Sequence, residues 1–362
     1  MLLCSGLGCG AQRRAEEQPR HSAADAEYRE LDRLVSFLRA RNTEQFALRS
    51  PRSVDEARFV RIGAIDQWVT IRGRDRDNPV LLFLHGGPGD VTNPWAFALF
   101  AAWEERFTVV QWDQRGAGRT FRKTGPSIAP TLTLDRMTQD GIELTEYLLE
   151  HLGKDKVIVV AHSFGSIIGL RMVRARPDLF SAYVGTGQVA DGRRSLSAAH
   201  EALLEKARAL GNRQALEELG RHGPPSSPSH PGYGVQRRWA NAFEGADHFL
   251  FGTIGLTLVA PGYSAQDIND SAEGQMLSGE RLVPQTSSLG AADLGLVFEV
   301  PVFIFQGAED FTTPNELARR YLDSIAAPRK AFVSIEGGGH FAVFMKSDRF
   351  LEELVRRLGA DQ

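Results

Sequence analysis

The sequence predicts a doubly wound α/β domain with a helical insertion over one edge of its sheet. Three observations lead there. Short continuous apolar runs begin at Pro79, Phe107, Lys156, Phe180, Val300 and Lys330. Runs of this kind, bounded by turn residues, read as strands buried on both faces, as in a parallel sheet. Helical apolar spacing fills the intervals at residues 134–152, 165–174, 314–324 and 349–358. The rhythm then fails once: between Gln188 and about residue 290 no buried-strand pattern occurs.

Taken in order, residues 1–24 read as a disordered or targeting segment. The opening MLLCSGLG is apolar but short for a signal, and residues 10–24 are polar. The cytoplasm is the expected compartment, with export by that segment as the alternative. Tyr28, Leu31, Leu34, Val35 and Leu38 fall at helical spacing and predict an amphipathic helix packed on the body. ARFVRIG and DQWVTIRG alternate and are rich in β-branched residues, which predicts an antiparallel hairpin. The main body is expected to comprise residues 25–187 and 291–362. Residues 188–290 form the helical cap. This holds the helices LSAAHEALLEKARALG and RQALEELGR, a Pro/Ser/Gly loop, and an aromatic stretch around Trp239, Phe243, Phe249 and Phe251. Open α/β sheets bind ligands at the carboxyl edge of their strands, so the cap should cover a site there.

Composition narrows the function classes. The net charge of −3 and the scattered Lys and Arg give no basic surface for nucleic acid. Cys4 and Cys9 are the only cysteines, which excludes a disulfide framework or a Cys/His zinc site from the body. No apolar stretch of about 18 residues is present to span a membrane. HGGPG lacks the Gly-Lys-Ser/Thr ending of a P-loop, and RGAGRT lacks the third glycine of a dinucleotide fingerprint.

The chemistry concentrates at strand ends. In VIVVAHSFGSIIG, Ser163 sits where a buried strand meets a helix, between the small residues Ala161 and Gly165. Such a turn exposes the hydroxyl and aims the first helical N–H groups at the same point. A serine that only caps the helix would look similar. A nucleophilic serine needs a base, and in this kind of sheet the chain order is Ser, acid, His. Glu309 and Asp310 follow one later strand. His340 follows the last, after three glycines that would let a mobile loop bring its imidazole to the serine. Of the nine histidines, only His340 lies beyond both the last strand and the acid. The glycine turn LHGGPG offers Gly87, or alternatively Gly86, to pair its N–H with that of Phe164 around an oxyanion. His162 is expected to pack under the sheet edge and His85 to shape its loop. Asp113 and Arg115 are expected to form a buried charge-assisted bond.

HGGPG, DQRGAGRT, AHSFGS, GAEDFTTP and GGGHF together resemble the prolyl aminopeptidase (proline iminopeptidase) branch of the α/β-hydrolases, from about Phe59 to the C-terminus. The resemblance implies an α/β-hydrolase fold, with Ser163 as nucleophile, Asp310 as triad acid, His340 as base and Glu309 a bystander. It also implies that Glu244, in RRWANAFEGA with Trp239 and Phe243, binds a substrate's free amino terminus. The family's second cap acid has no counterpart here. The expected reaction is cleavage of a small amide or ester through an acyl-enzyme, best fitted by removal of an N-terminal, proline-type residue from a peptide. No metal and no cofactor are expected. The partner is a small molecule or short peptide, without nucleic acid. The alternatives are a carboxylesterase, lactonase or amidase, and a ligand-binding receptor on a hydrolase fold.

Overall fold

The computed structural model describes residues 23–359. The expectations for the N-terminal segment, including Cys4 and Cys9, therefore lie almost wholly outside the described residues. The eight strands are β1 (Val54–Ile62), β2 (Ile65–Gly73), β3 (Val80–Leu84), β4 (Thr108–Asp113), β5 (Val157–His162), β6 (Phe180–Thr186), β7 (Val302–Gly307) and β8 (Lys330–Ile335). They form one sheet in the order β1-β2-β4-β3-β5-β6-β7-β8. β1 and β2 form the antiparallel hairpin, and β2 pairs antiparallel with β4. All later pairings are parallel.

The alternation of side chains across the pleat explains the unbroken apolar runs. Val80, Leu82 and Leu84 of β3 pack with Val157, Val159 and Ala161 of β5 on one face. Leu81 and Phe83 pack with Ile158 and Val160 on the other. Both faces are dry because helices cover both. Each fully buried Leu or Phe contributes roughly 1.5–3 kcal/mol. The strand order reverses beside β3, whose sequence neighbour β4 lies to one side and β5 to the other. The crevice beyond the carboxyl ends of β3 and β5 is therefore the favoured ligand position.

The first helix, Ala23–Gln45, differs from expectation. Tyr28, Leu31, Leu34 and Phe37 are exposed. The helix is instead held near its C-terminal end. Arg39 donates to the carbonyl of Leu258 (2.6 Å) and Asn42 to that of Val259 (3.0 Å), while Phe46 packs edge-on against Phe97.

Between β6 and β7 the chain forms the helices Gly192–Ala209, Arg213–His222, Pro231–Glu244, Ala246–Val259 and Ala265–Thr286. The Pro/Ser/Gly loop ends at His230, with Pro231 opening the next helix, where a missing N–H costs nothing. The aromatic stretch is two helices separated at Gly245, whose φ of +67° suits glycine. The helix Ala265–Thr286 has no clean apolar stripe, because polar and small residues dock it. Arg119 and Arg122 pair with Asp267 and Asp270, and Gly274 lies against the carbonyl of Gly116. Among the described residues no helix is long and apolar enough to cross a membrane.

Candidate active site

Ser163 follows β5 and opens the helix Phe164–Ala175. Its backbone is strained, at φ 52° and ψ −122°; Ala64 is the other non-glycine at positive φ among the described residues. The turn needs its small neighbours. A Cβ on Gly165 would sit 2.5 Å from the carbonyl oxygen of Leu84 and 2.6 Å from that of His85. Ala161 is fully buried, and its methyl lies 3.0 Å from where a Cβ on Gly169 would be. Glycine at 169 thus makes room for alanine at 161.

Three strand ends meet at this serine. His340 Nε2 lies 3.0 Å from Ser163 Oγ. On the other side of the ring, Nδ1 lies 3.1 and 3.2 Å from the Asp310 oxygens. Asp310 and His340 are both buried. The Asp310 carboxylate also accepts the N–H groups of Thr312 and Thr313, the hydroxyl of Thr313 and the amide of Gln306. So many donors fix its oxygens in place and satisfy a charge that burial would otherwise penalise. Glu309 points away, onto Lys206 of the insertion at 2.6 Å.

The glycines before His340 have packing reasons rather than mobility as their cause. Gly337 has φ +64°, a Cβ on Gly338 would meet Ala342, and one on Gly339 would strike the Glu244 side chain at 2.6 Å. The same Glu244 accepts hydrogen bonds from two backbone amides. Oε1 takes the N–H of Phe311 (2.8 Å) and Oε2 that of His340 (2.7 Å). The structure thus commits both oxygens of the expected amine-binding residue to the loops carrying the acid and the base. Burial, with the nearby Asp310 charge, pushes the Glu244 carboxyl up to about 7. Trp239 and Phe243, the other expected substrate-binding residues, are held in a hydrophobic cluster and do not line the cavity beside Gly86. They pack with Leu203, Leu219 and Phe311 in a small core of the insertion, and Trp239 Nε1 donates to Glu218 (2.9 Å).

On the other side of the serine lies the glycine turn. A Cβ on Gly86 would be 3.0 Å from Ser163 Cβ, so bare backbone passes beside the hydroxyl. Gly87 has φ +109°. His85 ties the turn to β4's end: its Nε2 accepts the N–H of Gln114 (3.2 Å), and its carbonyl accepts the Gln114 amide (3.1 Å). Burial pushes His85 down to about 4, which keeps that nitrogen an acceptor. Asp113 and Arg115 do not bond to each other. Asp113 accepts from Asn93 (2.7 Å) and the N–H of Arg119 (2.9 Å), whereas Arg115 pairs with buried Asp140 (2.6 Å). Burial raises Asp113 to about 6.

A cavity of about 460 Å³ opens beside Gly86 and His162, beneath the insertion. Trp95, Leu250, Ile254, Phe341 and Phe344 give it apolar walls, with Asp90 and Arg237 among them. His162 packs 4.9 Å ring to ring from His340. Burial and that neighbour hold it well below the ordinary histidine range, so it serves as a neutral wall. Of the other cap aromatics, Phe249 stacks on Phe344 and Phe251 is exposed.

The family described as alpha/beta hydrolase fold matches residues 79–347. The chain is an α/β-hydrolase. This α/β-hydrolase is 28% identical over 300 residues to a probable aminopeptidase of Bacillus subtilis strain 168, covering 82% of this chain and 93% of the relative. It is 35% identical over 146 residues to a probable proline iminopeptidase of Streptomyces coelicolor, covering 40% and 41% of the two chains. In structure it resembles a proline iminopeptidase-related protein from Thermus thermophilus, with TM-score 0.59, 18% identity and coverage of 85% and 98%. It also resembles the proline iminopeptidase of Mycobacterium smegmatis, with TM-score 0.58, 21% identity and coverage of 84% and 98%. The hydrolase therefore resembles the prolyl aminopeptidase branch.

Sequence reasoning passed over four residues of this site. Gln306 and Thr313 flank the acid, and Thr313 at three residues past Asp310 is a turn signal. Asp90 directly follows HGGPG, where a charged residue next to a glycine turn was the available clue. Arg237 precedes Trp239 on its helix and carries no local signal.

Proposed function

We propose that this α/β-hydrolase is a serine hydrolase that cleaves a small amide or ester through an acyl-enzyme, acting on the amino-terminal residue of a peptide. The observation that carries this is the continuous contact from Asp310 through His340 to the strained Ser163. The aminopeptidase and iminopeptidase names of the relatives support the peptide end of it.

Ser163 Oγ attacks the carbonyl carbon while His340 Nε2 takes its proton. The carbonyl's π electrons move to oxygen, where the N–H groups of Phe164 and Gly87, with Gly86 as the alternative, stabilise the charge. Asp310 holds the imidazole's tautomer and stabilises the imidazolium. The C–N or C–O bond breaks and the leaving group takes the proton from His340. Water then attacks the acyl-serine, giving its proton to His340. The carbon–Oγ bond breaks, Oγ recovers that proton, and the acid is released. The apolar cavity walls also suit a neutral acyl chain, which favours a carboxylesterase as second reading.

The test uses proline and alanine naphthylamides beside short-chain nitrophenyl esters, with Ser163→Ala as control. The variant should lose about 10⁴-fold or more of kcat on every substrate turned over. Undiminished turnover in that variant would sink the mechanism. Ester turnover without naphthylamide turnover would establish the esterase reading instead.

A further inference from the structure

The cavity beside Gly86 holds two opposite charges that do not neutralise each other. Asp90 closes the HGGPGD turn, with its Cγ 3.3 Å from where a Cβ on Gly87 would lie. It therefore stands next to the candidate oxyanion site. Its side chain accepts from the amide of Gln275 on Oδ1, and Oδ2 accepts no hydrogen bond among the described residues. Arg237 reaches the same cavity from the helix Pro231–Glu244. Its Nη1 donates to Thr312 Oγ1 (2.8 Å), and it forms no ion pair among the described residues. Asp90 and Arg237 are thus both half-committed, each on neutral groups. Burial raises the Asp90 carboxyl in spite of the pull of Arg237 and His340, so a further cation at Oδ2 would be welcome there.

The remaining walls sharpen this. Trp95, Leu250, Ile254 and Phe344 are apolar, and the other polar side chains on the lining, Thr92, His162, Thr253, Thr257, Ser271 and Gln275, carry no charge to compete for a charged ligand. A partly desolvated carboxylate and guanidinium in such surroundings bind complementary charge far more strongly than in water. Glu244, on the same helix as Arg237, already has both oxygens on backbone amides and does not line the cavity.

We propose that the cavity selects short unblocked peptides, with the α-ammonium held by Asp90 and the terminal carboxylate by Arg237. The smallest such substrate is a dipeptide. An ammonium on Asp90 sits one carbon from the scissile carbonyl, beside the glycine turn that would receive its oxygen. The carboxylate of the leaving residue then lies on the side of Thr312 and the acid loop. The inference rests on the acyl-transfer reading above and names its substrate class.

The experiment compares kcat/KM of the full protein for prolyl-alanine, its N-acetyl form and its C-terminal amide, with nitrophenyl acetate as a neutral reference. In the unmutated protein each blocked form should fall about 30-fold or more below the free dipeptide. Asp90→Asn should cost the free dipeptide at least tenfold more than it costs nitrophenyl acetate. Arg237→Gln should cost the free dipeptide at least tenfold more than the amide. Ester turnover by each variant verifies that it is folded, and the blocked substrates require no variant. Equal turnover of free and blocked dipeptides overturns the proposal, as does selectivity confined to one end. If nitrophenyl acetate is not turned over and Ser163 is not labelled by a fluorophosphonate, the acyl-transfer reading falls, and this one with it.

Discussion

The carboxyl edge of the sheet and the helical insertion above it handle charge in opposite ways. At the sheet edge the acid of the candidate relay is over-determined: Asp310 receives donors from Gln306, Thr312 and Thr313 before it meets His340. In the insertion, one carboxylate, Glu244, reaches down to brace that edge, while Arg237 enters the cavity with a single neutral partner. On the proposed reading, the difference separates two tasks. Chemistry needs groups that do not move between steps, whereas selection needs groups left free for a substrate.

Three measurements would break or sharpen that contrast. The largest effect is expected at the braced edge. Asp310→Asn should lower kcat by about 10³–10⁴-fold on esters and amides alike, because the ring tautomer is no longer enforced. A loss below tenfold would show that the acid is not part of the relay. Next comes Glu244→Gln, which replaces one of the two side-chain oxygens that accept backbone N–H groups and sets an amide NH2 against the donor that oxygen served. It should lower kcat about tenfold for neutral esters and N-terminal amides equally, with KM little changed. A rise in KM restricted to amine substrates would return Glu244 to the role of amine anchor that the family resemblance implies.

The smallest effect is on stability. Glu244 has an ordinary value of 4.5 and is raised to about 7 in the fold. Between those values the folded chain binds more protons than the unfolded one. Its contribution is therefore fully present below about pH 4.5 and declines as pH rises through about 7. Thermal unfolding of the parent and Glu244→Gln should show the glutamine variant gaining on the parent across that window. A difference that does not change with pH would mean that the carboxyl is not raised.

The same contrast explains what was readable in the sequence. Buried parallel strands announce themselves by unbroken apolar runs, and glycines mark where backbone passes backbone, so Ser163, the pair Glu309 and Asp310, and His340 could be placed in chain order, with the family resemblance choosing Asp310 from the pair. Ala161 was legible as a small residue of the turn, but what makes room for its methyl, Gly169, lies eight residues on in the next helix. The cap was legible as helix and loop but not in its contacts. The helix Ala265–Thr286 docks through Arg–Asp pairs and small residues, which leave no apolar period. Trp239 and Phe243 sit on the helix that carries Glu244, yet only tertiary packing turns them into a core with Leu203 and Leu219. Asp113 and Arg115 are neighbours in sequence, but their partners, Asn93 and Asp140, lie 20 and 25 residues away. The exposed apolar face of the first helix has no counterpart in the described structure that would explain it.

The central claim is that Ser163 carries the acyl group. Mixing the protein with nitrophenyl acetate, quenching in acid within the first turnovers and mapping the adduct by peptide mass spectrometry tests it most directly. The expected result is an acetyl group on the peptide containing Ser163, formed in step with a burst of nitrophenol and absent from Ser163→Ala. Turnover with no adduct at Ser163, or an adduct on another residue that tracks the burst, would contradict it.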